Sequence, residues 1–258
     1  MRILLVNPNM TGAMTDSMAA LAIAAVPPGT EIIARTAPRG FPYISSLAEA
    51  QIAGAICLEM LAEAPPADAA IIAAFGDPGL AAARELFDFP VVGMAEASIL
   101  SAVQLGGRFA IVTFTPAMTP WYLSSVAALG LGARWLGVLT PGDMAVQVND
   151  VAQTQRIALR DLALGAAEQG AEVIIFGGAP LAGLAQELAA EVPAILVDPI
   201  TAATRQAYAL AGLCPRPTAR LARPLAKPST GLAPARTPSL TGRLSLRLPR
   251  GWPKPNLT

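Results

Sequence analysis

The chain has 258 residues, of which 53% are hydrophobic and 14% charged, so it can bury a large core and does not have the composition of a fibrous or disulfide-stapled protein. It contains no histidine, which excludes histidine-based catalytic triads and HExxH zinc sites. The two lysines, Lys227 and Lys254, lie close to the C-terminus, so the rest of the chain offers no Schiff-base amine for a pyridoxal cofactor.

The two cysteines, Cys57 and Cys214, are too few for a zinc cluster or a disulfide framework, and a reducing compartment is the simplest expectation. The opening MRILLVNPNM lacks the features of a signal peptide, and no segment approaches the roughly 20 apolar residues of a membrane span. We therefore expect a cytoplasmic protein with no membrane partner. The pair Gly106-Gly107 lacks the spacing of a dinucleotide-binding loop, so nucleotide binding is not expected.

Apolar runs alternate with helical patterns through the first half of the chain. Strands are predicted at 3–6, 31–36, 69–73 and 91–94, and helices at 12–25, 46–64, 78–86 and from the fourth strand through Gln104. The second half repeats this order. Its strands are predicted at 109–114, 133–139, 173–176 and 194–197, and its helices within 115–129 and at 151–169, 181–190 and 201–211. This alternation predicts an α/β fold of two pseudo-symmetric lobes, each a four-stranded parallel sheet flanked by helices.

Charge separates the C-terminal segment from the rest. Residues 1–214 contain nine arginines and all eighteen acidic residues, a net charge of −9, whereas residues 215–258 carry +9 and nine prolines. Such a segment is expected to be a basic, Pro-rich disordered tail. Spaced arginines can bind the phosphates of nucleic acid, but Trp252 is the only aromatic residue in this segment. A dispensable extension with no nucleic-acid partner is therefore favoured.

Two segments 104 residues apart repeat one unit, AIIAAFGDPGL at 70–80 and IIFGGAPLAGL at 174–184. Each reads as a strand, a turn of small residues and the start of a helix. Asp68, Ala74, Gly79 and Leu80 align with Glu172, Gly178, Gly183 and Leu184. Loops at the carboxyl ends of parallel strands are where open α/β sheets bind ligands, so the two turns are expected to face each other across a cleft.

The segments NPNMTGAMT, FGDPGL, GGAPLAGL and VDPI resemble the aspartate/glutamate/hydantoin racemase family, and the likeness runs from about Arg2 to about Gly212. The resemblance implies cofactor-independent inversion at an acidic carbon, a small-molecule substrate and a homo-oligomer. FGDPGL favours hydantoin- or allantoin-type rings over free amino acids. The lobes are then 1–106 and 107–200, and the last helix, 201–211, packs back on the first lobe, as it does in the family.

In that family each turn carries a cysteine, and the matched positions here are Ala74 and Gly178. Neither can carry a proton, so racemisation is expected to be impaired. A decarboxylating branch has glycine at the first position and cysteine at the second, which is also missing here. Two alternatives remain: a non-catalytic binding homologue, and a decarboxylase or lyase that uses a non-cysteine acid or base. Asp77 is either the N-cap of the following helix or a replacement base.

Further candidates surround the two catalytic positions. Asn9 and Thr11 lie between a strand end and a helix start, where a carboxylate binds readily, although plain helix capping is the alternative. Turn amides can form an anion site, and the tyrosines are expected as pocket walls rather than bases. The candidate substrate-binding residues are Asn9, Thr11, Tyr43, Phe75, Gly76, Thr113, Tyr122 and Ala179. No metal ligands are predicted. Cys57 is expected to be a core residue and Asp198 to order a neighbouring loop.

Overall fold

Strands and helices alternate through both halves of the computed structural model, which describes residues 1–142 and 150–213. The first half contains β1 (Arg2–Asn7), α1 (Gly12–Ala24), β2 (Glu31–Thr36), α2 (Leu47–Ala62), β3 (Ala69–Ile72), α3 (Leu80–Leu86), β4 (Val91–Gly93) and α4 (Met94–Leu105). The second half contains β5 (Phe109–Val112), α5 (Thr119–Ala128), β6 (Trp135–Leu139), α6 (Val151–Thr154), α7 (Arg156–Glu168), β7 (Val173–Phe176), α8 (Leu184–Leu188), β8 (Ile195–Val197) and α9 (Pro199–Gly212).

The two halves have the same sheet topology. Four parallel strands are ordered β2-β1-β3-β4 in the first sheet, and four parallel strands are ordered β6-β5-β7-β8 in the second. Nearly every residue of the central strands β1, β3, β5 and β7 is buried, as expected for parallel sheets covered by helices on both faces. The predicted fold class is confirmed.

The internal repeat extends to individual hydrogen bonds. Asp68 accepts the N–H of Arg2 at 2.7 Å, and its counterpart Glu172 accepts the N–H of Gly107 at 2.9 Å. Gly79 and Gly183 have φ angles of 81° and 91° and immediately precede α3 and α8. Glycine adopts this left-handed backbone at little cost, which explains why both copies of the unit retain it.

Helix α9 crosses from the second sheet to the first half of the chain. It packs against α1, β3 and α4, and the Gln206 side chain donates to the Ala97 carbonyl at 2.8 Å and to the Ser101 hydroxyl at 3.1 Å. The α4–β5 connection is held from the second half, because the Arg134 guanidinium donates to the carbonyls of Val103, Gly106 and Gly107. Helix α9 and the α4–β5 connection therefore both link the two halves of the chain.

The predicted elements differ from the observed ones mainly in the second half. The helix predicted at 151–169 divides into α6 and α7, because Gln155 leaves the helical backbone range with φ −106° and ψ 9°. The helix predicted at 181–190 shortens to α8, because a 3-10 turn occupies Ala179–Leu181 and Gly183 is left-handed. The last helix begins earlier, at Pro199, where Asp198 caps it. Cys214 and the predicted tail, 215–258, lie outside the described residues.

Asp77 caps a helix, but not the one that follows it in sequence. Its two carboxylate oxygens accept the N–H groups of Ala95 and Glu96, both at 2.8 Å, so it caps α4 rather than α3. The prediction of an α3 cap was wrong because the backbone of Asp77 is left-handed, with φ 57°, and the side chain reaches the neighbouring helix. A Cβ at Gly93 would lie 2.3 Å from Asp77 Cγ, so this contact requires glycine at 93.

We predict that Gly93→Ala destabilises the protein by about 1–3 kcal/mol, because the new methyl group forces the Asp77 carboxylate away from α4. Gly165→Ala in α7 is the control, since no atom lies within 4 Å of its added Cβ, and it should stabilise by about 0.4–1 kcal/mol. Urea unfolding followed by far-UV circular dichroism measures both. Equal unfolding midpoints for the two variants would contradict the proposed role of Gly93.

Candidate active site

A small cavity lies between the two repeated turns and brings Ala74 and Gly178 together. Its volume is about 20 Å³, which is room for about one water molecule. The lining residues are Asn9, Tyr43, Ile44, Ala74, Phe75, Met118, Trp121, Tyr122, Gly178 and Ala179. Residues from both halves of the chain therefore form its walls.

Aromatic contacts between the two halves close this cavity. Phe75, in the first turn, meets Tyr122 of α5 edge-on, with ring centroids 4.7 Å apart. The Trp121 indole lies directly on Gly76, where an added Cβ would be 2.1 Å from its Cε2 atom. Tyr43 and Phe114 form a third pair, with centroids 5.8 Å apart. These contacts leave little empty space around Ala74 and Gly178.

Asn9 lines the cavity, and its side-chain amide has a fixed orientation. Its Oδ1 accepts the backbone N–H of Thr11 at 2.9 Å and the Asn7 side-chain amide at 3.0 Å, so the orientation of the Asn9 amide is set. The remaining nitrogen, Nδ2, contacts only the weak acceptor Met14 Sδ, at 3.6 Å, among the described residues. Asn9 is buried, and Nδ2 has no oxygen acceptor among the described residues, so it can still donate to a ligand.

Tyr43 contributes a second uncommitted polar group. Its hydroxyl is buried and has no hydrogen-bond partner within the part of the chain that the structure describes. Burial raises the pKa of the Tyr43 phenol well above its usual range, and the negative charge of Glu49 acts in the same direction. The phenol therefore stays protonated at neutral pH and is suited to donate a hydrogen bond rather than to act as a base.

Tyr122 is fully buried and partnered. Its hydroxyl lies 3.4 Å from the Gly177 carbonyl, which also accepts the Thr113 hydroxyl at 2.7 Å. Burial raises the pKa of Tyr122 above its usual range, and the hydrogen bond with Thr113 offsets this only in part. The Tyr122 phenol is therefore also neutral. Thr113 serves to fix the second turn.

Gly178 has a backbone that favours glycine strongly. Its φ is 129° and its ψ is 139°, a region that other residues rarely enter. A Cβ there would lie 3.1 Å from Phe114 Cε1 and 3.7 Å from the Tyr122 hydroxyl. Ala74 differs, because Asp77 alone has a positive φ among the described non-glycine residues. The two positions are paired in the repeat but not equivalent in conformation.

Seven of the ten candidate residues from the sequence line the cavity. They are Asn9, Tyr43, Ala74, Phe75, Tyr122, Gly178 and Ala179. Thr11, Gly76 and Thr113 do not line it: the Thr11 hydroxyl donates to the Pro42 carbonyl, Gly76 supports Trp121, and Thr113 donates to Gly177. Sequence reasoning missed Ile44, Met118 and Trp121. Met118 and Trp121 belong to FTPAMTPWY, whose position after β5 matches that of NPNMTGAMT after β1.

The cavity wall carries little ionisable chemistry. Its only titratable side chains among the described lining residues are the phenols of Tyr43 and Tyr122.

Cys57 is buried in α2, and burial raises the pKa of its thiol to about 12, which fits the predicted core role. The described ranges hold no group of three or more His, Cys, Asp and Glu residues placed to bind a metal ion. They likewise contain no helix with the length and apolarity needed to cross a membrane.

Asp77 lies on the same turn as Ala74 but does not line the cavity. Its N–H donates to the Ala74 carbonyl at 3.0 Å, whereas its carboxylate is bound to the start of α4. Burial raises the pKa of Asp77 to about 7, although the two backbone N–H groups favour the charged form and lower it. With both oxygens engaged at α4, this arrangement does not favour Asp77 as a replacement base.

Comparisons with known proteins agree on one family. The family model described as Asp/Glu/Hydantoin racemase matches residues 3–207. A hydantoin racemase from Paenarthrobacter aurescens is 36% identical over 219 residues, which cover 83% of this chain and 92% of the relative. A hydantoin racemase from Pseudomonas sp. (strain NS671) is 33% identical over 216 residues, covering 83% and 87%.

Solved structures share the architecture. An allantoin racemase from Klebsiella pneumoniae aligns with a TM-score of 0.78 and 32% sequence identity, covering 83% of this chain and 88% of that chain. Arylmalonate decarboxylase aligns with a TM-score of 0.57 and 16% identity, covering 82% and 93%, and this likeness concerns the fold alone.

We predict that Asp77 makes the protein less stable as pH rises. Its carboxyl has a pKa of about 7 in the folded protein against an ordinary value of 3.8, so between these pH values the folded state binds more protons than the unfolded state. The free energy of unfolding should fall across this window by on the order of 2–4 kcal/mol. Urea titrations between pH 4 and pH 8 measure it.

Asp77→Asn removes the titrating group, so this decline should disappear in that variant. Asp16→Asn is the matched control, because Asp16 is an exposed carboxylate on α1, and it should keep the wild-type pH dependence. An unchanged decline in Asp77→Asn would show that another group is responsible.

Proposed function

The chain belongs to the Asp/Glu/hydantoin racemase family, and we propose that it binds a small uncharged ring of the hydantoin type between its two turns, with racemisation impaired. The observation that carries the proposal is the cavity wall, where Ala74 and Gly178 occupy the paired positions and provide no group that exchanges protons. The chain has the fold of the family, and Asn9 and Tyr43 offer polar donors at the site, so we expect the protein to bind a ligand even though it does not racemise it.

The character of the wall favours a neutral ligand over a free amino acid. A free amino acid carries an ammonium and a carboxylate, and burying either without an opposite charge is costly. The described lining residues include no charged side chain. Asn9 Nδ2 and the Tyr43 hydroxyl instead offer two neutral donors, which match the carbonyl oxygens of a hydantoin ring. The names of the hydantoin and allantoin racemases that the chain resembles support the same class.

The same wall supports impaired proton transfer. Inversion by two bases requires a group on each face of the substrate that alternates between protonated and deprotonated forms near neutral pH. Burial raises the pKa of both Tyr43 and Tyr122, so neither phenol is a competent base. Asp77 is committed to α4. We therefore expect binding without inversion.

A ring cannot enter the cavity in the closed arrangement. The volume of about 20 Å³ holds about one water molecule, so binding requires the cross-cleft aromatic contacts to loosen. Two-lobed proteins commonly open and close by hinge motion around a ligand site. The proposed function therefore includes a separation of Phe75 from Tyr122, and of Trp121 from Gly76, when the ligand binds.

Decarboxylation is the second candidate function. A decarboxylase needs one proton donor rather than two exchanging bases, and the neutral phenol of Tyr122 lies 3.7 Å from where a side chain at 178 would begin. This proximity is the observation that favours the second candidate. Release of carbon dioxide from an arylmalonate by the purified protein would establish it, and no release above the level without protein would remove it.

We predict that the protein perturbs the NMR signals of 5-substituted hydantoins but does not exchange their ring C–H for deuterium faster than buffer alone. Single enantiomers of hydantoins and allantoin are incubated in heavy water, with aspartate and glutamate as charged comparison ligands. Exchange above the buffer rate would show that a non-thiol base operates here. Absence of any ligand-induced shift would contradict the proposed binding.

Replacing Ala74 and Gly178 together with cysteine is expected to raise the exchange rate by about 10²-fold or more, because each face of the ligand then gains a thiol. The matched control is the double serine variant, whose hydroxyls have similar size but stay protonated. A side chain at 178 carries a backbone cost of about 1–3 kcal/mol at φ 129°, so folding is checked by urea titration. A folded cysteine variant that binds hydantoin without exchange would contradict the proposal.

A further inference from the structure

We infer that Thr11, which does not line the cavity, is a positioning residue for the two cavity-lining side chains that we expect to donate to a ligand, Asn9 and Tyr43. Its backbone N–H donates to Asn9 Oδ1 at 2.9 Å, and its hydroxyl donates to the Pro42 carbonyl at 2.7 Å. Asn9 lines the cavity, and Pro42 directly precedes Tyr43, which also lines it. One residue therefore connects the two groups that we expect to bind a ligand.

The segment that carries Tyr43 is fixed at both of its ends. Residues 37–46 connect β2 to α2, and their N-terminal part bonds to the β1–α1 loop, where the Met10 N–H donates to the Phe41 carbonyl at 2.8 Å. At the other end the N-cap Ser46 hydroxyl accepts the N–H of Glu49 at 3.2 Å, and Glu49 accepts the N–H of Ser45, the residue before the N-cap, at 2.6 Å. Tyr43 lies between these anchors.

The Thr11 hydroxyl is the side-chain component of the first anchor. Thr11 is the N-cap residue of α1, yet its side chain makes no capping hydrogen bond there. Removing the hydroxyl therefore leaves the helix cap unchanged and takes away only the bond to Pro42. A main-chain carbonyl cannot be altered by substitution, so Thr11 is the point at which this connection can be tested.

Holding Tyr43 matters because its hydroxyl lacks a partner of its own. The phenol is buried beside Phe114, and no described residue fixes its oxygen by a hydrogen bond. Its position depends on packing and on the backbone that carries it. A donor placed in advance binds more tightly than one that must be ordered by the ligand, because less conformational entropy is lost on binding.

Thr11→Val removes the hydroxyl at nearly constant shape, Thr11→Ser keeps it, and Thr11→Ala is a second removal in case valine folds poorly. The protein contains three tyrosines, Tyr43, Tyr122 and Tyr208, so labelling with 3-fluorotyrosine gives three 19F signals, and Tyr43→Phe identifies one of them. We expect Thr11→Val and Thr11→Ala to shift or broaden the Tyr43 signal, with the Tyr122 and Tyr208 signals unchanged. Thr11→Ser should reproduce the wild-type spectrum.

The binding arm uses a 5-substituted hydantoin and rests on the proposed function. Loss of the solvent-exposed hydrogen bond should weaken hydantoin binding by about 2- to 10-fold in Thr11→Val, and serine should restore it. If the wild type binds no hydantoin, the proposed function fails while the 19F arm still decides the role of Thr11. A Tyr43 signal that is unchanged in both hydroxyl-free variants would overturn the inference, as would equal shifts at all three tyrosines.

Discussion

The packing of Phe75 against the opposite turn is the contact on which the cleft depends. A Cβ on Gly177 would lie 3.2 Å from Phe75 Cε1 and 2.9 Å from Ile111 Cγ2, so glycine at 177 lets an aromatic ring from one half reach the backbone of the other. Gly76 accepts Trp121 in the reverse direction. Each turn thus supplies a bare stretch of backbone to an aromatic side chain of the other half. The walls approach closely and enclose little volume.

Close approach of the walls determines the chemistry as well as the shape of the site. Burial in this narrow site keeps Tyr43 and Tyr122 protonated, because burial disfavours the phenolate. The close packing also determines which polar groups of the site can bind a ligand. Those whose hydrogen bonds are satisfied inside the protein, such as Thr113, support the wall, whereas Asn9 Nδ2 and the Tyr43 hydroxyl stay available. The site is therefore better suited to recognise an uncharged ligand than to move a proton.

Local patterns predicted the order of strands and helices, because buried parallel strands are continuous apolar runs. The two copies of the repeated turn also share residues at matching positions, such as Gly79 and Gly183. The sequence predicted that the two turns face each other and that the last helix packs back on the first half, but not the individual side-chain contacts between distant segments. Asp77 caps α4 instead of α3, and Trp121 reaches Gly76 across the cleft. These contacts depend on tertiary placement that periodicity does not encode. Thr11 is similar, since its partner Pro42 lies 31 residues away.

The two positions without a proton-carrying group, Ala74 and Gly178, differ in how readily they would take one. Ala74 already has a Cβ and a negative φ, so a larger side chain there changes packing alone. At Gly178, φ is 129°, and any side chain must either bear backbone strain or move the turn that begins at Ala179. That turn is tied to the rest of the second half, because Asp198 accepts the N–H of Gly183 at 2.8 Å and also caps α9. A side chain at 178 is therefore coupled, through this turn and Asp198, to the placement of the helix that crosses between the halves.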